Sequence, residues 1–328
     1  LAASPLAFAA SLARAPRARR ALGGARRPVG SRTEPRPAPF KRSPDRVPDV
    51  ITLSSDFGSP YPAAMKGVIR RRTDAELIDV AHDLPRGDPR AAAFWLRFVL
   101  PEFPPAVHCA VVDPGVGTGR DAVVVRAGAH VLVAPDNGLA MPPARALAAD
   151  ESAVEAWTVS VDDPASATFH GRDVFAPVAA RVRAAIDGGP AAATPESVSE
   201  TLAATDGLTP ASDPVDLRIP EPSVERAGGS GPGSGTLAVD GEVLVVDRFG
   251  NAITNVPGAL IQGRDRVRVD GDSVPVAETF GGVAPGERLV TVGSHGYAEC
   301  DVNDGRGDEA FDLRPGDAVR FDANGAGE

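Results

Sequence analysis

The chain is poor in residue types that mark several protein classes. Its 328 residues include two cysteines, Cys109 and Cys300, and two lysines, Lys41 and Lys66. The cysteines lie far apart and lack the spacing of a zinc or redox motif. We therefore expect two buried free thiols and a reducing, cytoplasmic setting. No run reaches the roughly 18 unbroken apolar residues that a membrane span needs, so we expect no membrane partner.

Positive charge is scarce outside the amino-terminal segment. Residues 1–49 hold 11 Lys and Arg against 3 Asp and Glu, so the remaining chain holds 23 basic and 41 acidic residues. Because nucleic-acid binding needs a basic face, we expect no nucleic-acid partner. An acidic, lysine-poor body is typical of a protein kept soluble at high salt by surface carboxylates.

Composition divides the chain into four segments. Residues 1–48, rich in Ala, Arg and Pro, predict a non-functional disordered tail, with an organellar transit peptide as the alternative interpretation. Residues 49–190 predict an α/β domain that carries the catalytic residues. Residues 191–235, rich in Pro, Ser, Thr and Gly, predict a linker that ends in a glycine-rich loop. Residues 236–325 predict a small antiparallel β domain.

Apolar periodicity gives these domains their expected folds. In the first domain the predicted strands are residues 50–53, 76–80, 107–112, 122–126 and 130–134, and the predicted helices are 62–72, 88–98 and 174–186. Alternating strands and helices predict an α/β sandwich with a central, mostly parallel sheet. In the second domain the predicted strands are 236–239, 242–246, 267–269, 288–292 and 318–321. These short strands, with no convincing helix, predict an antiparallel, barrel-like β domain.

The most informative stretch is the glycine-rich turn Asp113-Pro-Gly-Val-Gly-Thr-Gly-Arg120. It follows a predicted strand, and it carries an acid and a base where an α/β sheet presents its sites. Glycines permit backbone angles and close approaches that other residues do not. The chain has no GxGxxG or phosphate-loop pattern, so a dinucleotide or nucleoside triphosphate function has no support.

Six blocks stand in a family-specific order along the chain. They are Ser55-Asp-Phe-Gly58, Val111-Val-Asp-Pro-Gly-Val-Gly-Thr-Gly-Arg120, Ala134-Pro-Asp-Asn-Gly-Leu139, Thr168-Phe-His-Gly-Arg-Asp-Val-Phe-Ala-Pro177, Asp247-Arg-Phe-Gly-Asn251 and Ser294-His-Gly-Tyr297. With them the chain resembles the S-adenosyl-L-methionine (SAM) hydroxide adenosyltransferases, or SAM hydrolases, relatives of the fluorinase and chlorinase enzymes. The resemblance covers residues 49–325.

The resemblance implies that water or hydroxide attacks C5′ of SAM, giving adenosine and L-methionine. SAM is then the substrate, and neither a metal nor an organic cofactor is implied. A sulfonium is a good leaving group, so the task is to align the water and take its proton. The resemblance also implies a homotrimer, with each site between the α/β domain of one subunit and the β domain of the next.

The family's water-activating residues match Asp113, Arg120 and His170. An arginine beside the water favours its ionised form, and a carboxylate orients the histidine or the water and balances the arginine charge. His170 has the ordinary pKa closest to neutrality. Whether Asp113 or His170 takes the proton stays open. Taken singly, each of the three also fits a plain structural role in a turn, a pocket or the surface.

The substrate-binding residues carry over in the same way. Asp56 matches the carboxylate that accepts both ribose hydroxyls, and Asp247 matches the partner of the methionine ammonium. Asn251 matches an adenine contact, and Ser294 a contact to the methionine carboxylate. Phe249 is either a wall for the adenine or a core aromatic. The loop after Asp56 is slightly shorter than the family's usual loop and lacks its second acid.

The choice of nucleophile follows from three positions. In halogenating relatives a Tyr and a Thr occupy the positions of Asp113 and Val116, and a Ser stands at Gly171. Val116 and Gly171 offer no hydroxyl to a halide, and the Asp113 carboxylate repels an anion. We therefore expect hydroxide as the nucleophile.

Alternative functions are a non-catalytic SAM- or adenosine-binding protein and, less favoured, a SAM-dependent halogenase. A metal-dependent hydrolase is a further alternative, but no metal-ligand spacing such as HExxH supports it.

Two other acidic segments are interpreted as turns. Asp270-Gly-Asp272 is interpreted as a hairpin turn. Asp136 and Asn137 are interpreted as a structural turn near the site.

Overall fold

A seven-stranded sheet organises the first half of the molecule. The computed structural model describes residues 49–161, 164–186, 188–227 and 235–323, so the predicted tail and most of the glycine-rich loop lie outside the described residues. The strands are β1 (Val50–Ser55), β2 (Glu76–Ala81), β3 (Val107–Val111), β4 (Ala122–Ala127), β5 (His130–Pro135), β6 (Val154–Val159) and β7 (Leu208–Pro210). Their order is β2-β1-β3-β5-β4-β6-β7. The pairs β1/β2, β1/β3 and β3/β5 are parallel, and β4 and β7 run against their neighbours.

Five helices cover the two faces of this sheet. They are α1 (Tyr61–Arg70), α2 (Pro89–Val99), α3 (Met141–Leu147), α4 (Ala176–Ala185) and α5 (Pro195–Ala203), and a single π-helical turn, Gly171–Phe175, leads into α4. Short 3₁₀ turns lie at Leu100–Glu102, Glu151–Ala153, Pro190–Ala192, Gly258–Leu260 and Phe280–Gly282. Local sequence explains several helix starts. Asp88 accepts a bond from the Ala91 amide and is followed by proline, and Thr194 forms a capping box with Ser197.

The sheet is apolar on both faces because each face meets helices. Alternate residues of the central strand β5 therefore serve different cores. Val131 and Val133 join a core that includes Met65 of α1 and Ala179 of α4. Leu132 and Ala134 face the opposite way, into a core with α2 and α3. This arrangement leaves the ends of the strands for polar groups.

An antiparallel, nearly closed barrel forms the second half. Its strands are β8 (Ser223–Ala227), β9 (Thr236–Val246), β10 (Ala252–Pro257), β11 (Arg266–Val269), β12 (Asp272–Pro275), β13 (Arg288–Val292), β14 (Tyr297–Val302) and β15 (Ala318–Ala323), with one short helix, α6 (Gly307–Phe311). The order is β12-β11-β15-β9-β10-β14-β13, and β8 adds to β9. A bridge between Val276 and Val290 brings the two ends together.

Apolar packing joins the two halves. Phe94 of α2 is 1% exposed and packs in one cluster with Leu244, Val245 and Ile253 of the barrel. The Phe94 ring also lies 5.6 Å from that of His295, centre to centre. The outer face of β9 and β10 thus serves as the docking surface for α2.

The predicted fold class is confirmed, and the differences are local. Residues 236–246 form one strand rather than two, because β9 continues from the part that pairs with β15, residues 237–242, into the part that pairs with β10, residues 243–246. The helix predicted from residue 174 is preceded by the π turn, and the barrel contains α6, which periodicity over five residues cannot reveal. Asp270 and Gly271 turn between β11 and β12 with positive φ, which confirms the hairpin.

The segment predicted as a linker contains regular structure. Within residues 191–235 the chain forms α5, β7 and β8, and β7 extends the first sheet by pairing with β6. The boundaries of the domains themselves stay a prediction. Across the described ranges, no helix is both long and apolar enough to cross a membrane.

Both cysteines are free and buried, as expected. Burial raises the pKa of the Cys109 thiol to about 12, so it stays protonated and unreactive at neutral pH.

Candidate active site

A tightly packed glycine turn follows strand β3. Gly117 has φ +78°, and a β carbon there would lie 2.7 Å from the carbonyl oxygen of Ala167. A side chain at this position would therefore clash with the segment that leads to His170. The glycine allows the turn after β3 and the start of the π turn to touch.

The turn presents a buried ion pair. Arg120 Nε donates to Asp113 Oδ1 at 2.8 Å, and Arg120 Nη2 donates to Asp113 Oδ2. The two side chains are only 13% and 3% exposed, so the pair is largely removed from water. A third bond, from Nη1 to the Asp121 carbonyl at 2.8 Å, and the ring of Phe175 at 5.1 Å hold the guanidinium in place.

His170 contacts the arginine of this pair. Its Nδ1 lies 3.3 Å from Arg120 Nη2. Because arginine can only donate, Nδ1 must be the unprotonated nitrogen in this arrangement, and the neutral ring carries its proton on Nε2. Arg120 thus contacts both of the other residues predicted to activate water, although 50 residues separate it from His170 in sequence.

A cleft of about 690 Å³ opens beside these residues. Arg120 and His170 line it together with Thr158, Val159 and Thr209 of the strands behind and Val174 of the π turn. Its walls combine charged groups with apolar ones, which is typical of small-molecule sites.

Gly171 is required by packing as well as by chemistry. A β carbon there would lie 2.7 Å from Phe57 Cε2 and 3.2 Å from Met65 Sδ. A serine at this position would force these side chains to move. The absence of a hydroxyl, which we used to argue against a halide, therefore has a steric basis in this fold.

Asp56 lies in the turn after β1, where its Oδ2 accepts a bond from the Gly87 amide at 2.8 Å. Phe57, Tyr61 and Phe169 form an edge-to-face aromatic cluster next to this turn. Phe169 immediately precedes His170, so the cluster connects the predicted ribose-binding turn with the segment that carries His170.

The predicted binding residues of the barrel occupy two loops. Asp247 Oδ1 accepts bonds from the amides of Phe249 and Asn251, both at 2.9 Å, and Oδ2 accepts from Asn251 Nδ2 at 3.1 Å. These bonds fix the turn between β9 and β10. Phe249 is 78% exposed, so it is not a core aromatic. Ser294 is exposed in the turn between β13 and β14.

A groove of about 490 Å³ separates this loop from the first half. Asp247 and Phe249 line it from the barrel side, and Leu84, Trp95 and Val99 from the other side. Among the described residues, no hydrogen bond or ion pair links the Asp113–Arg120–His170 set to Asp247, Asn251 or Ser294. The chain therefore carries two groups of predicted site residues that its own contacts do not unite.

Sequence reasoning missed several polar contacts around these groups. Ser55 and Asp79 both bond to His82, whose place at the end of β2, beside the Asp56 turn, was the available signal. Asn137, interpreted as a turn residue, donates to the Val112 carbonyl at 2.9 Å, one residue before Asp113. That bond holds the backbone next to Asp113, a predicted catalytic residue.

Buried acids in the barrel were also missed. His295 Nε2 contacts Glu299 Oε1 at 2.6 Å, and Thr291 Oγ1 donates to Asp301 Oδ2 at 2.5 Å. Burial raises the pKa of Asp301 to about 7, the Thr291 bond opposes this, and the Glu299 carboxylate adds to the rise. Asp301 is fully buried on the face of β14 that also carries Glu299.

Comparison with known proteins agrees with this geometry. The model of the SAM hydroxide adenosyltransferase N-terminal domain matches residues 51–189, and that of the C-terminal domain matches residues 241–320. The chain is 40% identical over 278 residues to the (R)-S-adenosyl-L-methionine hydrolase of Salinispora tropica, covering 83% of this chain and 97% of the relative. The Thermus thermophilus enzyme of that name is also 40% identical, over 83% of this chain and 98% of its own.

Solved structures give the same result. An uncharacterized conserved protein from Thermotoga maritima superposes with a TM-score of 0.65 at 31% identity, covering 83% of this chain and 99% of the other. A conserved hypothetical protein from Thermus thermophilus gives 0.59 at 36% identity, with the same two coverages. Both domain models match in order, and the relatives are covered almost end to end, so the chain belongs to the SAM hydroxide adenosyltransferase family.

Proposed function

We propose that this protein hydrolyses S-adenosyl-L-methionine to adenosine and L-methionine. The water oxygen forms a bond to C5′ while the C5′–S bond breaks, and the electron pair of that bond leaves with sulfur as a neutral thioether. The water proton passes to a base on the protein. The observation that carries the proposal is the contact of Arg120 with both Asp113 and His170, beside a cleft that Arg120 and His170 line.

The contacts indicate what each group contributes. Arg120 is held by both oxygens of Asp113, so its charge stays beside the water site at little reorganisation cost. His170 presents Nε2 while Nδ1 faces Arg120. Either Asp113 or His170 receives the water proton in this proposal. The variants Asp113→Asn and His170→Asn distinguish them, because the variant that removes the base loses the fall in rate on the acid side of the pH–rate profile.

The decisive experiment combines product analysis with isotope labelling. The purified protein is incubated with SAM in high salt, with and without chloride, in ¹⁸O-water. We expect adenosine and methionine in both conditions, with the label in the 5′-hydroxyl of adenosine. A 5′-halo product that forms only with chloride would show that the protein is a halogenase instead. If calorimetry shows that SAM binds but no product forms, the protein is a binding protein rather than an enzyme.

No metal or organic cofactor takes part in the proposed reaction. The residues in contact are a carboxylate, a guanidinium and an imidazole, and they supply charge and proton transfer themselves. Turnover unchanged by a chelator, after dialysis, is the expected result. Loss of activity with the chelator that returns with one added metal would contradict this part of the proposal.

The protein acts as a homotrimer whose sites combine two subunits. Support comes from the two groups of site residues that lie apart within one chain, and from the exposed Phe249. At a SAM concentration far below KM, the variants Asp113→Ala, which loses turnover, and Asp247→Ala, which loses affinity, are each expected to show little activity alone. Co-expressed, they would form some sites with both groups intact, and random assembly predicts about a quarter of full activity. No recovery would indicate sites within single subunits.

The proposed setting is the cytoplasm, with SAM as the ligand and neither nucleic acid nor membrane as a partner. An acidic surface adapted to high salt belongs to the same proposal. Support comes from the excess of acidic residues beyond residue 49. Activity that is retained in molar salt and falls in dilute buffer is the expected result.

A further inference from the structure

A chain of polar side chains runs from α1 across the end of β2 to the end of β1. Lys66 Nζ donates to Asp79 Oδ2, His82 Nε2 contacts Asp79 Oδ1 at 3.0 Å, and His82 Nδ1 contacts Ser55 Oγ at 2.8 Å. Burial raises the pKa of Asp79, but the bonds from Lys66 and His82 outweigh it, so its pKa lies below the usual value. Asp79 is therefore a carboxylate that accepts from both sides.

The order of donors in this chain follows from the chemistry of its members. The ionised Asp79 can only accept, so His82 Nε2 carries the proton toward it. In the neutral ring Nδ1 then accepts, and the Ser55 hydroxyl donates to it. Ser55 is fully buried, so its oxygen is not available to attack a substrate. A nucleophilic triad is thereby ruled out, although the residue types fit one.

The polar chain lies where the Asp56 turn is attached to the sheet. The pairing of β1 with β2 shifts register between Leu53 and Ser54, which places the ends of the two strands in a bulge. Beyond the bulge the backbones stay connected. The Gly58 amide donates to the His82 carbonyl at 2.8 Å, and the Leu84 amide donates to the Ser55 carbonyl at 3.2 Å.

The bond on the Asp56 carboxylate comes from the same segment. Gly87, which donates to Asp56 Oδ2, lies five residues after His82 in the loop that begins there. Both the Asp56 backbone and its carboxylate therefore depend on how the loop after β2 is held against β1. The His82 side chain is a direct polar link between these two segments.

We propose that His82 is a positioning residue for Asp56. Through Ser55 on one side and Asp79 on the other, it fixes the turn so that the Asp56 carboxylate faces the ribose hydroxyls of the ligand. This inference rests on the proposed ribose-binding role of Asp56. It predicts that breaking the polar chain weakens recognition of the two hydroxyls while the rest of the ligand binds as before.

The test compares two ligands that differ in those hydroxyls. The dissociation constants of adenosine and of 2′,3′-dideoxyadenosine are measured by calorimetry for each variant, and their ratio is the readout. A partly unfolded variant lowers the active concentration equally for both ligands, so the ratio is unaffected by a general loss of structure. For the unchanged protein we expect adenosine to be preferred by about tenfold or more, the effect of charge-assisted hydrogen bonds.

Two amide substitutions separate the two bonds of His82. Glutamine places its polar atoms near the position of Nε2, and asparagine places them near Nδ1. His82→Gln keeps the bond to Asp79 and loses the bond to Ser55. Ser55→Ala removes the same bond by deleting the hydroxyl. Both should lower the preference for adenosine by about fivefold. His82→Asn, which retains the Ser55 contact, should lower it less.

Two further variants calibrate the result. His130→Gln changes a histidine at the amino end of β5, far from the carboxyl end of β1, and should keep the full preference. Asp56→Asn gives the ratio of dissociation constants that is expected when recognition of the two ribose hydroxyls is lost. If Asp56→Asn keeps the preference, the proposed role of Asp56 is wrong. If Asp56→Asn abolishes it while His82→Gln and Ser55→Ala keep it, the role of Asp56 stands and the positioning role of His82 is wrong.

Discussion

The two halves of this protein use buried polar groups in different ways. In the α/β half, Asp113 and Arg120 neutralise each other and His170 contacts the arginine, so the polar groups are paired around a cleft. In the barrel, Glu299 and Asp301 lie buried on one face of β14 with no arginine or lysine bonded to them among the described residues. The first arrangement holds charge ready for a reaction. In the second, burial raises the pKa of Asp301 to about 7, so this acid keeps its proton up to nearly neutral pH instead of adding a full negative charge behind the predicted binding loops.

The predicted site residues of the two halves also differ in their exposure to solvent. The predicted catalytic side chains are largely buried, whereas Phe249 and Ser294 stand exposed on barrel loops. A paired, buried site needs little from outside to keep its geometry. Exposed binding loops gain their function when a second surface covers them, as the proposed trimer would.

The largest effect should follow from breaking the catalytic pair. Asp113→Asn keeps the shape of the side chain but removes the charge that holds Arg120, so kcat should fall by about 10²- to 10⁴-fold. Binding of SAM, measured by calorimetry, should change only a few-fold, because the substrate contacts are elsewhere. A variant that loses binding and keeps kcat would reverse the assignment of roles to the two halves.

The next largest effect concerns the surface where the halves meet. Phe94→Ala removes a fully buried ring that packs against Leu244 and Ile253, and should lower the free energy of unfolding by about 3–5 kcal/mol. Urea denaturation monitored by tryptophan fluorescence measures this loss. A cost below about 1 kcal/mol would mean that the apolar contact does not hold the halves together.

A barrel variant should affect binding rather than turnover. Asp247→Asn removes the charge expected to pair with the methionine ammonium, but its remaining oxygen can still accept the two bonds from the amides of Phe249 and Asn251. The affinity for SAM should fall about 10- to 100-fold with kcat nearly unchanged. Adenosine, which lacks the ammonium, is the control ligand and should bind as tightly as before.

Buried titratable groups in the two halves should make the free energy of unfolding depend on pH in opposite directions. The folded pKa of Asp301, about 7, lies above the ordinary 3.8, so the folded state binds the extra proton and stability falls as pH rises from about 4 to 7. Burial lowers the pKa of His108 to about 3 and that of His130 to about 4, below the ordinary 6.5. The unfolded state then binds more protons, and stability falls as pH drops below about 6.5.

Two substitutions separate these contributions. Asp301→Asn should flatten the decline between pH 4 and 7, and His108→Gln should flatten the loss on the acid side, each by an amount on the order of 2 kcal/mol. Denaturation curves at half-unit steps from pH 4 to 8 measure both slopes. If either variant keeps the slope of the unchanged protein, its group is not the source of that slope.

The smallest effect is expected at the ion pair between Arg248 and Asp83. It also links the two halves, but its side chains are 80% and 57% exposed, so water screens it. Arg248→Ala should change the free energy of unfolding by less than about 0.5 kcal/mol. Compared with Phe94→Ala, this variant shows whether apolar burial or surface charge joins the halves.

Sequence patterns and the resemblance together predicted much of this molecule. The hairpin of β4 and β5 and the helix α2 follow from local periodicity and from Asp88 and Pro89 at the helix start, so neighbours in sequence were sufficient evidence. The six blocks pointed to Asp113, Arg120 and His170, which do lie in contact. The role of each remains a prediction.

Contacts between distant segments could not be predicted in this way. The link from His82 to Ser55 depends on a register shift between two strands, which no local pattern records. The insertion of β5 between β3 and β4, and the bridge that nearly closes the barrel, likewise depend on which strands pair. Pairing over long separations is decided by the sum of many packing contacts and by loop closure.

The sequence by itself determined the class of the two halves, the order of the motifs and the residue types available for chemistry, because apolar periodicity and glycine turns act over a few residues. The tertiary structure alone decided that Arg120 meets His170, that Asp301 is buried beside Glu299, and that Asp247 and Phe249 face a separate groove. Those outcomes depend on how distant segments pack, since burial and distance set charge interactions only once the chain is folded.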